Sequence, residues 1–187
     1  MLYTKKGDNG TTKLFDCPQG MRLSKSSFVF EVLGTIDELN SSIGYAKALS
    51  TKYKLSVFMK NKKVSYEEIL DIFQQNLFYI QAELGGSPMH ASKEQIFFLE
   101  EVIYEVETLL PPLKSFIIPG GGEAGAYLDI ARTIARRAER QTIILRDKQE
   151  RKINDTSIQF QSPFERPVCA CSFCKLSRRL HREKTPI

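Results

Sequence analysis

Several things are missing from this 187-residue chain, and each absence narrows what it can be. No apolar run reaches the roughly 20 residues that a bilayer-spanning helix needs. The first residues have neither the apolar core of a signal peptide nor the arginine-rich amphipathic pattern of a transit peptide, so a cytoplasmic protein with no membrane partner is expected. Only four cysteines occur. Cys17 stands apart and Cys169, Cys171 and Cys174 crowd together, a pattern that in a reducing compartment argues against structural disulfides. The trio lacks a fourth ligand at a recognisable zinc spacing. The two histidines, His90 and His181, stand alone without neighbours at metal-ligand spacing. Neither is assigned a role, and no protein-built metal site is expected.

Charge of one sign is scarce in the body of the chain. The formal net charge is +5, but residues 161–187 carry six Lys or Arg against Glu165 and Glu183, which is +4. The remaining 160 residues hold 21 basic and 20 acidic side chains, or +1. The basic character belongs to the C-terminal segment, and nucleic acid is not an expected partner.

What is present is helical periodicity. The length suits one domain with its own core. In GTIDELNSSIGYAKAL, Thr35 is a candidate N-cap with Glu38 as its capping-box partner, and Ile36, Leu39, Ile43 and Ala46 form a stripe. A polar, lysine-rich connection is expected around Lys52 to Lys63. Ser65 and Glu68 then box the start of a second helix with Ile69, Ile72, Phe73, Leu77, Ile80 and Leu84 on one face and a glycine stop after it. Ser92 caps a third, with Ile96, Leu99, Ile103, Val106 and Leu110, ending at Pro111 and Pro112. After FIIPGGG comes a fourth, EAGAYLDIARTIARRAERQTIIL. No segment alternates convincingly as a strand, except FVFEVL, which is equally compatible with a helix. The expected fold class is all-α, an antiparallel bundle of four or five helices.

Two stretches invite chemistry. YTKKGDNGTTKLF, from Tyr3 to Phe15, resists a regular helix because Gly7 and Gly10 are poor helix residues and Asp8-Asn9 favours tight turns. Its amides, hydroxyls and lysines can cradle an anion such as a phosphate chain; a frayed, solvated terminus is the plainer alternative. In the fourth helix Arg132, Arg136, Glu139 and Arg140 share one face. A solvated charged face explains them simply, but guanidinium groups also match triphosphate oxygens through paired donors. Asp37 is a candidate partner. Phe116 is by position an ordinary core residue, and Gly120 to Gly122 an ordinary connection.

Taken in order, YTKKGDNGTT, RLSKSS, GTIDELNSSIG, FIIPGGG and ARTIARRAER resemble the PduO-type ATP:cob(I)alamin (corrinoid) adenosyltransferases from about Leu2 to about residue 150. The resemblance implies a homotrimer of helical bundles with active sites at subunit interfaces. Substrates would be ATP and a reduced corrinoid, cobalamin, with Mg²⁺ on the nucleotide. A reductase and a cobalamin-dependent acceptor enzyme are the implied partners. By motif match Thr4, Lys5, Lys6, Gly7, Asp8, Asn9, Gly10, Thr11, Thr12 and Lys13 line ATP, and Lys25 reaches its phosphates. Arg136, Arg137, Ala138, Glu139 and Arg140 contact ATP from the neighbouring side. Asp37 and Arg132 occupy positions that form an ion pair across the subunit boundary in similar enzymes. Phe116 matches the aromatic that covers the lower corrin face, displaces the axial ligand and eases reduction of cobalt(II). The resulting cobalt(I) attacks the ribose 5′ carbon, and triphosphate leaves.

The resemblance stops after residue 160. Similar proteins continue with a helix containing an Asn-Arg-Leu-Ser segment whose asparagine contacts ATP; here stands QSPFERPVCACSFCKLSRRLHREKTPI. Codons permissible for Gln161 to Lys175, read from their second nucleotide, encode NRLSSVLFALVRFA. The expectation is therefore a domain over residues 1–160 and a divergent basic segment over 161–187, produced by a one-nucleotide shift. Adenosyl transfer is the leading function. A catalytically impaired nucleotide- or cobalamin-binding homologue is the alternative.

Overall fold

The structure, a computed structural model, describes residues 5–54, 56–59, 62–108 and 123–162. The expectations placed on Thr4, Phe116, Gly120 to Gly122, Cys169, Cys171 and Cys174 lie outside those residues.

A short antiparallel pair opens the described chain, β1 (Thr11–Thr12) against β2 (Leu23–Ser24), with Thr11 opposite Ser24 and Thr12 opposite Leu23. Helix α1 (Phe28–Tyr53) follows directly, with Ser27 at its N-cap. It begins well before the predicted start: FVFEVL is helical, and Thr35 lies inside α1, donating its hydroxyl to the Glu31 carbonyl at 2.9 Å. The cause is a longer apolar seam than the one read from Ile36 onward. Val29, Val32, Ile36, Leu39, Ile43 and Ala46 are all buried on one side, and burying that stripe outweighs the small helix penalty of its β-branched members.

The expected purely α fold needs correction at two places. Besides β1 and β2, the lysine-rich connection after α1 carries a hairpin, β3 (Ser56–Met59) with β4 (Lys62–Ser65), in which Val57 faces Val64. Val57, Met59 and Val64 are buried while Phe58 is exposed, the alternation of a half-covered sheet. Lys62 and Lys63, adjacent and both exposed, hid that pattern.

Ser65 ends the hairpin and caps α2 (Tyr66–Leu84), with the predicted capping box in place: Glu68 N–H donates to Ser65 Oγ at 3.1 Å, and Ser65 N–H to Glu68 Oε2 at 2.8 Å. The bond from the Ser65 backbone, and then one donated by the Ser65 hydroxyl to Glu68 Oε2 at 3.1 Å, hold the Glu68 carboxyl below the ordinary range. Helix α3 (Lys93–Thr108) is tied to α2 through fully buried Asn76, whose Oδ1 accepts from Ser92 N–H at 3.0 Å and whose Nδ2 donates to Gln95. Helix α4 (Glu123–Asp147) buries Ala131, Ile134, Ala135 and Ala138. Helix α5 (Asp155–Gln161), capped by Asn154, inserts Phe160 into the core, 5.5 Å from the Phe73 ring.

Side-chain pairs fix the directions. Asn40, Lys47 and Thr51 of α1 meet Gln74, Asp71 and Glu67 of α2. Glu38, Tyr45 and Lys52 meet Arg137, Tyr127 and Glu123 of α4. Rising numbers on α1 meet falling numbers on both neighbours, so α1 runs antiparallel to each, as expected of the bundle.

Candidate functional site

The segment from Lys5 to Lys13 is a stack of tight turns. Asp8 N–H reaches Lys5 O at 3.3 Å and Gly10 N–H reaches Gly7 O at 3.2 Å. Asn9 Oδ1 accepts from the Thr11 hydroxyl at 2.7 Å and from its amide at 3.4 Å. Pairing of β1 with β2 then folds RLSKSS back over this segment, and Lys25 N–H donates to Gly10 O at 2.9 Å. The Lys25 ammonium lies above Gly7, so that a Cβ on Gly7 would stand 3.1 Å from Nζ. Lys5, Lys6, Lys13 and Lys25 are exposed, and Thr11 and Thr12 are half-buried. The arrangement is therefore a turn-rich loop held by its own amides and hydroxyls, with the Lys25 ammonium over Gly7 and exposed lysines along it, a cationic surface suited to a polyanion.

Below this loop the chain is clamped. Leu14 is buried, Phe15 N–H donates to Gly85 O at 2.8 Å, and Asp16 pairs with Arg151. The double glycine after α2 is thus more than a helix stop. A Cβ on Gly86 would fall 2.4 Å from Asp16 Cγ, and one on Gly85 3.1 Å from the Phe15 ring, so the seat accepts the N-terminal segment only because side chains are absent there.

On α4 the buried alanines bring the helix close to α1 and set the arginines along its rim. Arg132 and Arg136 are half-buried, Arg137 and Arg140 exposed, and Glu139 half-buried beside buried Ala138. Arg132 donates from Nε to Asp129 Oδ1 at 3.5 Å, one turn back on the same helix. Arg137 pairs with Glu38 of α1. Asp37, next to Glu38, is exposed and makes no ion pair within the chain among the described residues. Asp37 and Arg132 are therefore not joined within one chain. Among the described residues no group of three or more His, Cys, Asp or Glu is placed to hold a metal ion, and none of their helices is long and apolar enough to cross a membrane.

Residues 2–161 match the family model described as cobalamin adenosyltransferase. The chain belongs to the cobalamin adenosyltransferase family. One relative, a corrinoid adenosyltransferase of Citrobacter freundii, is 36% identical over 169 residues, covering 83% of this chain and 88% of its own length. Another, corrinoid adenosyltransferase PduO of the same organism, is 36% identical over 151 residues, but that match covers 77% of this chain and 41% of the longer protein. The chain thus spans about two fifths of the PduO relative. In three dimensions it superposes with TM-score 0.77 on a variant of the PduO-type ATP:corrinoid adenosyltransferase from Lactobacillus reuteri complexed with cobalamin and ATP, at 29% identity and covering 96% of both chains.

Three contacts of this family member escaped the sequence reading. Arg22, just before β2, reaches Thr11, with Nε 2.8 Å from Thr11 Oγ1 and Nη2 2.8 Å from Thr11 O. Asp129 is buried and holds Arg132; its i,i+3 spacing was a usable signal. Glu38, expected as a capping-box partner, instead joins α1 to the arginine rim.

Proposed function

We propose that this chain transfers the 5′-deoxyadenosyl group of ATP to the cobalt of a reduced corrinoid, yielding adenosylcobalamin and triphosphate. The observation that supports the reading is the loop from Lys5 to Lys13, folded into tight turns with the Lys25 ammonium over Gly7, in a chain that superposes on a solved relative complexed with cobalamin and ATP. Thr4 to Lys13 and Lys25 would hold the nucleotide, and Arg136, Arg137, Ala138, Glu139 and Arg140 would meet it from a neighbouring copy.

The chemistry balances simply. The cobalt(I) electron pair attacks C5′, a cobalt–carbon bond forms, and the C5′–O bond breaks with its pair leaving on triphosphate. Charge gathers on the leaving group, and lysine and arginine donors aimed there stabilise it more in the transition state than before. Mg²⁺ in this reading travels with the substrate triphosphate, as its counter-ion. Phe116 would cover the lower corrin face: an apolar ring fills that space and offers no lone pair to cobalt.

A homotrimer fits the same reading, since Asp37 is exposed and makes no ion pair among the described residues, and Arg132 of a second copy would be its partner. A separate reductase would supply the electron, and a cobalamin-dependent enzyme would accept the product. Incubation of the full chain with ATP and chemically reduced cob(I)alamin, followed by visible spectroscopy, tests the activity. A light-sensitive adenosylcobalamin spectrum with stoichiometric triphosphate is expected; unchanged ATP and corrinoid would overturn the proposal.

A further inference from the structure

We propose that Arg22 is a positioning residue for the nucleotide loop, an inference that rests on the ATP-binding reading above. Arg22 immediately precedes β2 and is exposed, where a surface arginine beside a triphosphate would be expected to reach for the anion itself. Its donors are directed instead to the protein. Nε donates to Thr11 Oγ1 and Nη2 to Thr11 O, each at 2.8 Å. This two-point contact fixes both the side chain and the peptide of one residue, as a planar guanidinium can and an ammonium cannot.

The consequence passes along a chain of bonds. With Thr11 Oγ1 occupied as an acceptor by Arg22, its proton is directed to Asn9 Oδ1 at 2.7 Å. Asn9 Oδ1 also takes the Thr11 amide at 3.4 Å, closing the turn whose next residue, Gly10, accepts from Lys25 N–H. Arg22, Thr11 and Asn9 form one relay that holds the loop under Lys25. Strands β1 and β2 are two residues each, too short to hold a loop in register unaided, and the arginine supplies the missing constraint. Its role is to order the loop before ATP arrives, so that less freedom is lost on binding.

The roles can be separated on the full-length chain with ATP as the probe. Arg22→Ala should weaken ATP binding by about tenfold, the loss expected when a charge-assisted contact is removed at an exposed site. The corrinoid KM and the melting temperature should stay near those of the parent chain, and kcat at saturating ATP should fall much less than kcat/KM. Arg22→Lys, which keeps the charge and loses the fork, should rescue little. Arg22→Ala combined with Thr11→Ala should be scarcely worse than the poorer single variant, because both break one relay. Multiplying losses, or full rescue by lysine, would mean that Arg22 acts on ATP as a charge and would overturn the proposal. Unchanged ATP affinity in Arg22→Ala would overturn it too. Amide exchange without ligand keeps this test apart from the proposed activity: Arg22→Ala should speed exchange at Gly10, Thr11 and Lys25 even if the chain transfers no adenosyl group, and unaltered exchange refutes the relay.

Discussion

Substituting Gly86 with alanine tests whether the seat beneath the nucleotide loop is as tight as its geometry requires. Gly86 has φ +94, and a Cβ there would lie 2.4, 2.5 and 2.8 Å from Cγ, Cβ and Oδ1 of Asp16. The backbone alone costs an L-residue about 1–2 kcal/mol in such a conformation. Asp16 must also shift. That strains its pair with Arg151, whose side chains are 43% and 16% exposed respectively, and a partly screened pair of this kind contributes roughly 0.5–1 kcal/mol. Gly86→Ala should therefore lose about 1.5–3 kcal/mol of stability. Gly20→Ala is the internal control for stability, because Gly20 has φ +85 with nothing within 4 Å of the new Cβ and should show the backbone part alone, about 1–2 kcal/mol. Urea unfolding of both variants gives the difference. Because Asp16 follows Phe15, whose amide is anchored on Gly85, displacement should reach the loop and lower ATP affinity several-fold by calorimetry. Equal stability of the two variants, with ATP affinity unchanged in Gly86→Ala, would refute the claim that this seat positions the loop.

Asp37→Asn should weaken subunit association by an amount on the order of 2–5 kcal/mol if its pair with Arg132 is buried between copies, and Asp129→Asn, which leaves Arg132 less firmly held, should act in the same direction by about 1 kcal/mol; sedimentation velocity showing an unchanged assembly for both counts against the arrangement. Phe116→Ala should abolish turnover that starts from cob(II)alamin and a reductant while sparing much of the turnover from preformed cob(I)alamin, and equal losses in the two assays would mark Phe116 as an ordinary packing residue. Replacing residues 161–187 by the shifted translation beginning NRLSSVLFALVRFA should raise the melting temperature and the ATP affinity together, whereas independent reads showing an intact frame through QSPFERP would refute the shift.

Local signals in the sequence proved good guides where the structure uses them locally. Ser65 and Glu68 form their capping box because both partners lie within one turn and nothing distant competes. Thr35 and Glu38 have the same spacing and do not, since Val29 and Val32 extend the buried seam upstream and carry the helix past the signal. The hairpin around Val57 and Val64 was masked by the lysines beside them, which raise local polarity without changing which side is buried. In the site, the glycine and threonine composition of the N-terminal loop was legible as turn chemistry. The hold of Arg22 on Thr11 was not, because it depends on the register of two very short strands. Asp37 drew attention through its motif, while Asp129, closer to Arg132 in sequence and space, was passed over.

The buried seam of α1 has a mechanical consequence. Val29, Val32, Ile36, Leu39, Ile43 and Ala46 follow one another by alternating steps of three and four, a pattern that repeats every seven residues over two turns, against the 3.6 residues per turn of a straight helix. A straight rod would let that seam drift by about 20° every seven residues. Keeping contact therefore asks α1 and its antiparallel neighbours to wind around one another with a left-handed twist, as in a short coiled coil. Under this constraint α1 acts as a phase marker, because its outward face, with Asp37 and Glu38, is fixed in angle by the winding of the inward one. Deleting one residue between Ile36 and Ile43 would turn everything beyond it by about 100° relative to the seam. The hydrophobic composition would survive such a deletion almost intact, but the polar face above the deletion would no longer share an angle with the face below it.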